Sequence, residues 1–274
     1  MAGRCGAFAA LLLPGLAQAH SFGRSYNLPV PLWLYAWGAA AALLLSFLLI
    51  GWFLTREHSQ RPERGRALPA AFTAALHRLM PTLRLLSLAL LLLCIATGLA
   101  GSGDAYRNFN MTWFWIVFVL GFAYGTVLFG DLYAHLNPWA TLAAATNRVL
   151  PGFTTGRLPY PPALGYWPAL ALYMGFIWLE LFGRSTPQSL SLWLIAYSGI
   201  NFFGVWLWGA SSWFRYGEFF AVFLRLLALM APLHVAAAAV GGRGELRWRL
   251  PFAGLLAVRA EHPSLLLFVL FMLS

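Results

Sequence analysis

The sequence predicts an all-α fold, a polytopic transmembrane helical bundle with interfacial amphipathic helices. Three observations predict it. Hydrophobic residues fill 61% of the 274 positions and charged residues only 9%, where an ordinary soluble domain carries roughly a quarter. The apolar residues gather in runs close to the ~20 residues that a spanning helix needs. Arginines collect in the connectors between those runs, the pattern of a chain oriented by positive charge. This composition excludes an ordinary soluble enzyme, a disordered chain and a small disulfide-stapled module.

The amino terminus has Arg4, then the apolar stretch Cys5 to Leu13, a Pro14-Gly15 break and Ala17-Gln18-Ala19. That order fits a signal peptide over residues 1–19 with cleavage after Ala19. Residues 20–274 then form a single integral membrane domain. Cleavage makes His20 the first residue, and its amine and imidazole together suit copper or another divalent metal. A histidine that merely follows the cleavage point is the other reading.

Two prolines, Pro29 and Pro31, hold the approach extended. The first span is expected over 32–54, with Trp33, Tyr35, Trp37 and Trp52 at its ends, as interfacial aromatic belts require. Residues 55–81 read as a polar connector. Further spans are expected over 83–99, 111–130, 164–182 and 190–208. The stretch 131–150 is too polar to cross and is broken by Pro138, so it reads as an interfacial helix pair or a re-entrant turn. The stretch 211–233 carries Arg215, Glu218 and Arg225 among apolar residues. It reads as a helix lying in the interface, or as a sixth span with Arg225 inside it. Leu246, Trp248 and Leu250 alternate with Arg247 and Arg249, the period of a short strand. From residue 264 another apolar run reads as an incomplete final span.

The formal net charge is +10, and all eighteen basic residues are arginines. They are spread between apolar segments rather than gathered in one patch, so nucleic acid is not an expected partner. With the mature amino terminus periplasmic, fourteen arginines fall inside and only Arg24, Arg107 and Arg184 outside. This places the chain in a bacterial inner membrane, with the lipid bilayer, membrane protein partners or a second copy of the chain around it. Cys5 and Cys94 suggest neither a disulfide framework nor a zinc site.

Polar groups at membrane depth are the first candidates for function. Asn201 sits mid-helix with Ser198 one turn before, either as packing glue or as the lining of a solute path. Asp131 and His135 are four residues apart and share a helix face. They suit a metal or a proton relay, or Asp131 simply ends a helix. Glu180 is a coupling carboxylate or a local partner of Arg184. Gly121 and Gly125 form a small-xxx-small pair that suits close helix packing.

Several stretches carry a resemblance. They are Ala19-His20, Leu28-Pro29-Val30-Pro31-Leu32-Trp33-Leu34, Leu136-Asn137-Pro138-Trp139-Ala140-Thr141-Leu142, Arg215-Tyr216-Gly217-Glu218-Phe219-Phe220 to Ala231-Pro232-Leu233, and Gly244 to Pro251. Together they resemble a group of polytopic bacterial membrane proteins often labelled fenitrothion hydrolase. The resemblance implies organophosphate ester cleavage, yet no established catalytic residue maps onto this chain. The function expected first is a transporter-like or accessory membrane subunit handling a small solute or ion. A membrane-embedded metal-dependent hydrolase and a structural subunit of a membrane complex are the alternatives.

Overall fold

A computed structural model describes residues 33, 37–38, 40–41, 43–48, 66–183, 185–236, 245–257 and 261–274. The chain divides into two units, Met1–Arg64 and Gly65–Ser274. In the first, the described residues are helical and exposed. The signal peptide over 1–19, His20 and the bounds of the expected 32–54 span lie outside the described residues.

The second unit opens with strand β1, Arg66–Ala67. Helix α1 follows over Ala70–Ala100, thirteen residues earlier than the expected start at 83. The alanine-rich segment after Pro69 favours helix strongly enough to absorb what reads as a connector. Helix α2 spans Phe109–Phe129 and winds as a π-helix over Thr112–Gly121. Gly130 ends it at φ +87, and a side chain there would meet the Leu233 carbonyl at 2.5 Å. Two short helices come next, α3 over Leu132–Leu136 and α4 over Pro138–Val149. Helix α5 covers Trp167–Phe182 and α6 covers Pro187–Trp208. A helical turn, Ala210–Ser212, runs through the π-helix Trp213–Gly217 into α7, Phe219–Ala228.

Strands β2, Leu233–Ala236, and β3, Glu245–Trp248, complete a three-stranded antiparallel sheet in the order β1-β3-β2. Its register sets Trp248 opposite both Arg66 and Leu233. Helices α8, Ala253–Ala257, and α9, Pro263–Leu273, close the described chain.

The N-caps explain most of these boundaries. Asp131, Asn137 and Thr186 accept from the backbone N–H groups of Ala134, Ala140 and Ser189. Proline occupies the first turn of α4 and α6, where its missing N–H costs nothing. The core is dominated by aromatic rings. Phe118 meets Phe220 at 4.9 Å between ring centroids, Trp139 meets Tyr197 at 4.9 Å and Tyr173 meets Phe268 at 5.1 Å. Such pairs add about 0.5–1.5 kcal/mol each beyond burial.

The expected polytopic bundle with interfacial helices is not the architecture found. The two segments assigned to the membrane interface, 131–150 and 211–233, supply the centre of the core. Tyr133, Trp139, Phe219, Phe220 and Val222 are all buried. A helix on a bilayer surface would turn those side chains outward. Of the five expected spans, that at 164–182 is a helix of 16 residues, short of the ~20 needed.

Among the described residues, three helices (Ala71–Ala100, Phe109–Phe129 and Pro187–Trp208) are long and apolar enough to cross a membrane by length and composition alone. Their outer faces leave Leu85, Leu92, Ile116, Leu120, Trp193 and Phe203 exposed. The membrane, transmembrane and inner-membrane assignments, and the periplasmic amino terminus, all rested on the five-span alternation and fall with it. The fold is also more self-contained than the expected bilayer and membrane or homo-oligomeric partners implied. Among its buried polar side chains, Glu218, Asn201, Ser191 and Ser264 find partners within the chain.

Candidate functional site

Glu218 is the organising residue, and it is completely buried. It caps the amino terminus of α7, where Oε1 accepts from the Phe220 N–H at 3.1 Å and Oε2 from the Ala221 N–H at 2.8 Å. Three side chains complete the shell. The Tyr197 hydroxyl donates to Oε1, and the Tyr133 hydroxyl donates to the same oxygen at 3.4 Å. The Asn137 amide donates to Oε2 at 3.5 Å. These donors come from α6, α3 and the α3–α4 junction, so four parts of the fold converge on one carboxyl group.

Removal from water disfavours the charged form of Glu218 more than these donors stabilise it, and its pKa is pushed up from 4.5 to about 7. Burial dominates, as it does for carboxyl groups in apolar surroundings. The neighbouring Tyr133 phenol is also pushed up, first by burial and then by the Glu218 charge. Glu218 is therefore a proton-exchanging group near neutrality in an otherwise aromatic interior.

Beside it lies a cavity of about 130 Å³, lined by Asp131, Ala134, Asn137, Ala140, Phe214, Ala221 and Arg225. Asp131 and Arg225 bring opposite charges to its wall. Among the described residues, Arg215 and Glu261 make the ion pair within contact distance, at 3.3 Å. Asp131 and Arg225 are thus set further apart, though Arg225 still favours the charged form of Asp131 electrostatically. Burial outweighs that favour and raises the Asp131 pKa. Arg225 is steadied by donating to the Arg215 carbonyl at 2.7 Å. Asn137 is the link between cavity and carboxyl, because it lines the first and donates to the second.

The residues singled out from sequence are dispersed. Asp131 lines this cavity and caps α3. His135 is exposed on α3, and its carbonyl accepts from Arg84 Nε at 2.9 Å. Asn201 is buried and fully engaged: its Nδ2 donates to the Tyr197 carbonyl at 3.1 Å and its Oδ1 accepts from Trp213 Nε1 at 2.8 Å. Glu180 is exposed on α5, and Arg184 lies outside the described residues. His20, the copper candidate, lies outside them too. Gly121 and Gly125 make only ordinary contacts. The close helix approach is at Gly98 in α1, which packs against Ser191 and Pro187 of α6 and against Asn110.

Ser264 and His262 lie 2.7 Å apart, but this is no nucleophile and base. Ser264 is fully buried and its Oγ already accepts from the Tyr166 N–H at 2.8 Å.

Glu218, Tyr133, Tyr197, Asn137 and Arg225 are the site residues that sequence reasoning missed. Two signals were present. An acid directly before the apolar run Phe219 to Leu224 is the mark of a helix start, and Asn137 before Pro138 is another.

No family model, no curated protein and no solved structure matches the chain. The resemblance to the fenitrothion hydrolase-labelled group is therefore not sustained. Nor is the metal-dependent hydrolase, because no group of three or more metal-capable side chains occurs among the described residues. The transporter-like reading needed Asn201 and a broken 131–150 segment along one solute path. Asn201 is instead locked to Trp213, and the segment folds into two capped helices inside the core. The accessory or structural subunit loses its basis with the bilayer-dependent bundle.

Proposed function

We propose that the chain is a binding protein for a small zwitterionic molecule of amino-acid size, with affinity linked to the protonation of Glu218. The observation that carries this reading is the pair of opposite charges, Asp131 and Arg225, on the wall of one small cavity without direct contact between them. An ammonium group suits the Asp131 carboxylate and a carboxylate suits the Arg225 guanidinium. The cavity volume of about 130 Å³ admits a molecule of only a few heavy atoms.

Proton linkage follows from the geometry around Glu218. Oε1 receives three donors and Oε2 two, of which the Asn137 amide at 3.5 Å is the longest contact of the five. The proton is accommodated at Oε2 with the least loss, because that displaces the weakest donor. Asn137 is then released toward the cavity as an added donor for the ligand carboxylate. Affinity accordingly increases as pH falls through about 7, the value for Glu218.

Calorimetric titration of the full chain with glycine or alanine tests this. Saturable binding is expected, with ethylamine and acetate each at least about tenfold weaker, since each satisfies one charge and leaves the other. Asp131→Asn keeps the helix cap but is expected to weaken binding. Glu218→Gln is expected to remove the rise in affinity as pH falls through about 7, leaving only the weakening at lower pH that follows from the Asp131 carboxyl, whose pKa is also raised. Equal binding of the zwitterion and its two halves, or none of any, overturns the proposal.

A further inference from the structure

A second cavity, of about 160 Å³, lies between α1, α2 and the start of α4. Its wall is built from leucines and aromatic rings, among them Leu90, Leu91, Trp113, Phe114, Phe118 and Trp139. It shares no lining residue with the charged cavity. The polar side-chain atoms of Trp139 and Cys94, which also line it, are directed elsewhere. Trp139 Nε1 donates to Ser198 Oγ at 2.8 Å, and Cys94 Sγ donates to the Asn110 carbonyl at 3.7 Å. Ser87 contributes the remaining hydroxyl of the wall, so a polar guest would exchange full hydration for at most that one hydroxyl. The rim is open at Leu86, which is half exposed at 52%.

One wall belongs to the π-helical part of α2, Thr112–Gly121. π-Helix is rare, and where it occurs it is frequently at a functional site. Here it presents Phe114 and Phe118 side by side, with ring centroids 5.8 Å apart and stacked. An apolar cavity of about 150 Å³ lined by such side chains stays dry and takes up benzene.

We propose that this cavity is a binding site for one single-ring apolar molecule, an arene of benzene or toluene size. Volume sets the size, a wall whose one hydroxyl is that of Ser87 sets the polarity, and the aromatic rings of the α2 wall favour a flat guest that can pack against them.

The test is titration of the full chain with benzene, followed by tryptophan fluorescence and by the melting temperature. Saturation at one benzene per chain is expected, with a rise in melting temperature as the site fills. Phenol is expected to bind more weakly, because its hydroxyl exchanges full hydration for the single Ser87 hydroxyl of the α1 wall. Leu91→Trp fills the cavity from within and is expected to abolish saturation. Ser87→Phe fills it from the α1 wall and serves where the first variant fails to fold. Non-saturable uptake overturns the proposal, as does saturation that survives in a folded filled variant, since either places the arene on the exposed apolar faces instead.

Discussion

Replacing Glu218 by glutamine should flatten the pH dependence of stability between pH 4.5 and 8. The carboxyl group titrates at 4.5 in ordinary surroundings and at about 7 in the folded chain. Because the folded value is the higher one, the native state holds a proton over that window while the unfolded chain has lost it. The stabilisation is fully present below pH 4.5, declines as pH rises and is gone above about 7. A shift of that size corresponds to about 3 kcal/mol, a large share of the 5–15 kcal/mol typical of whole domains. Asp131 is raised in the same sense and adds to the slope. Equilibrium denaturation of the full chain at a series of pH values reads the effect directly. The wild type should lose about 3 kcal/mol across the window, and Glu218→Gln should retain only the smaller slope due to Asp131. Parallel curves for the two proteins would refute the assignment of the titration to Glu218.

Four further substitutions probe the framework. Tyr197→Phe removes the hydroxyl whose hydrogen bond does most to hold the Glu218 pKa down and should move the midpoint of the same pH profile upward, read by the denaturation series above. Asn201→Leu leaves the buried Trp213 Nε1 without its acceptor and should cost about 1–3 kcal/mol, measured by thermal unfolding. Gly204→Ala drives a methyl group into the Trp213 ring, and overpacking of this kind costs about 1–3 kcal/mol, with loss of near-ultraviolet dichroism as the check. Arg249→Ala removes a guanidinium that donates to the carbonyls of Ala228, Leu229 and Ala231 at the end of α7, and should speed hydrogen exchange in that turn.

Much of the helical content was legible because apolar runs and their interruptions are local. Pro187 and Gly209 bracket α6 within three residues of the expected 190–208, and the alternation after Leu246 does produce strand β3. What the pattern could not assign is the medium around each helix. A helix that is apolar on all sides satisfies a protein core and a bilayer equally, so composition alone favoured the bilayer for segments that fill the core. The 211–233 stretch shows the difficulty sharply. Its charges read, in the sequence alone, as marks of a water-facing edge, but Glu218 turns inward because it caps α7, and Arg225 turns to the Arg215 carbonyl. The candidate site was legible only at Asp131. Its other members, Asn137, Glu218, Tyr133 and Tyr197, lie up to 85 residues apart in the chain. No spacing rule joins them.

Stability alone does not account for Glu218. A buried carboxyl group held by five donors is weak grounds for stabilisation, because its desolvation offsets what the hydrogen bonds return. A helix cap needs only a short oxygen-bearing side chain, and a serine or aspartate in that place would leave the tyrosines and Asn137 free to be replaced by apolar residues. The longer side chain instead reaches past the cap to gather Tyr133, Tyr197 and Asn137 from separate elements. That reach adds a titrating group to the interior and connects it, through Asn137, to the cavity that has Asp131 and Arg225 on its wall. A device for helix capping would end at the backbone, whereas this one extends to a place where a ligand would register its protonation.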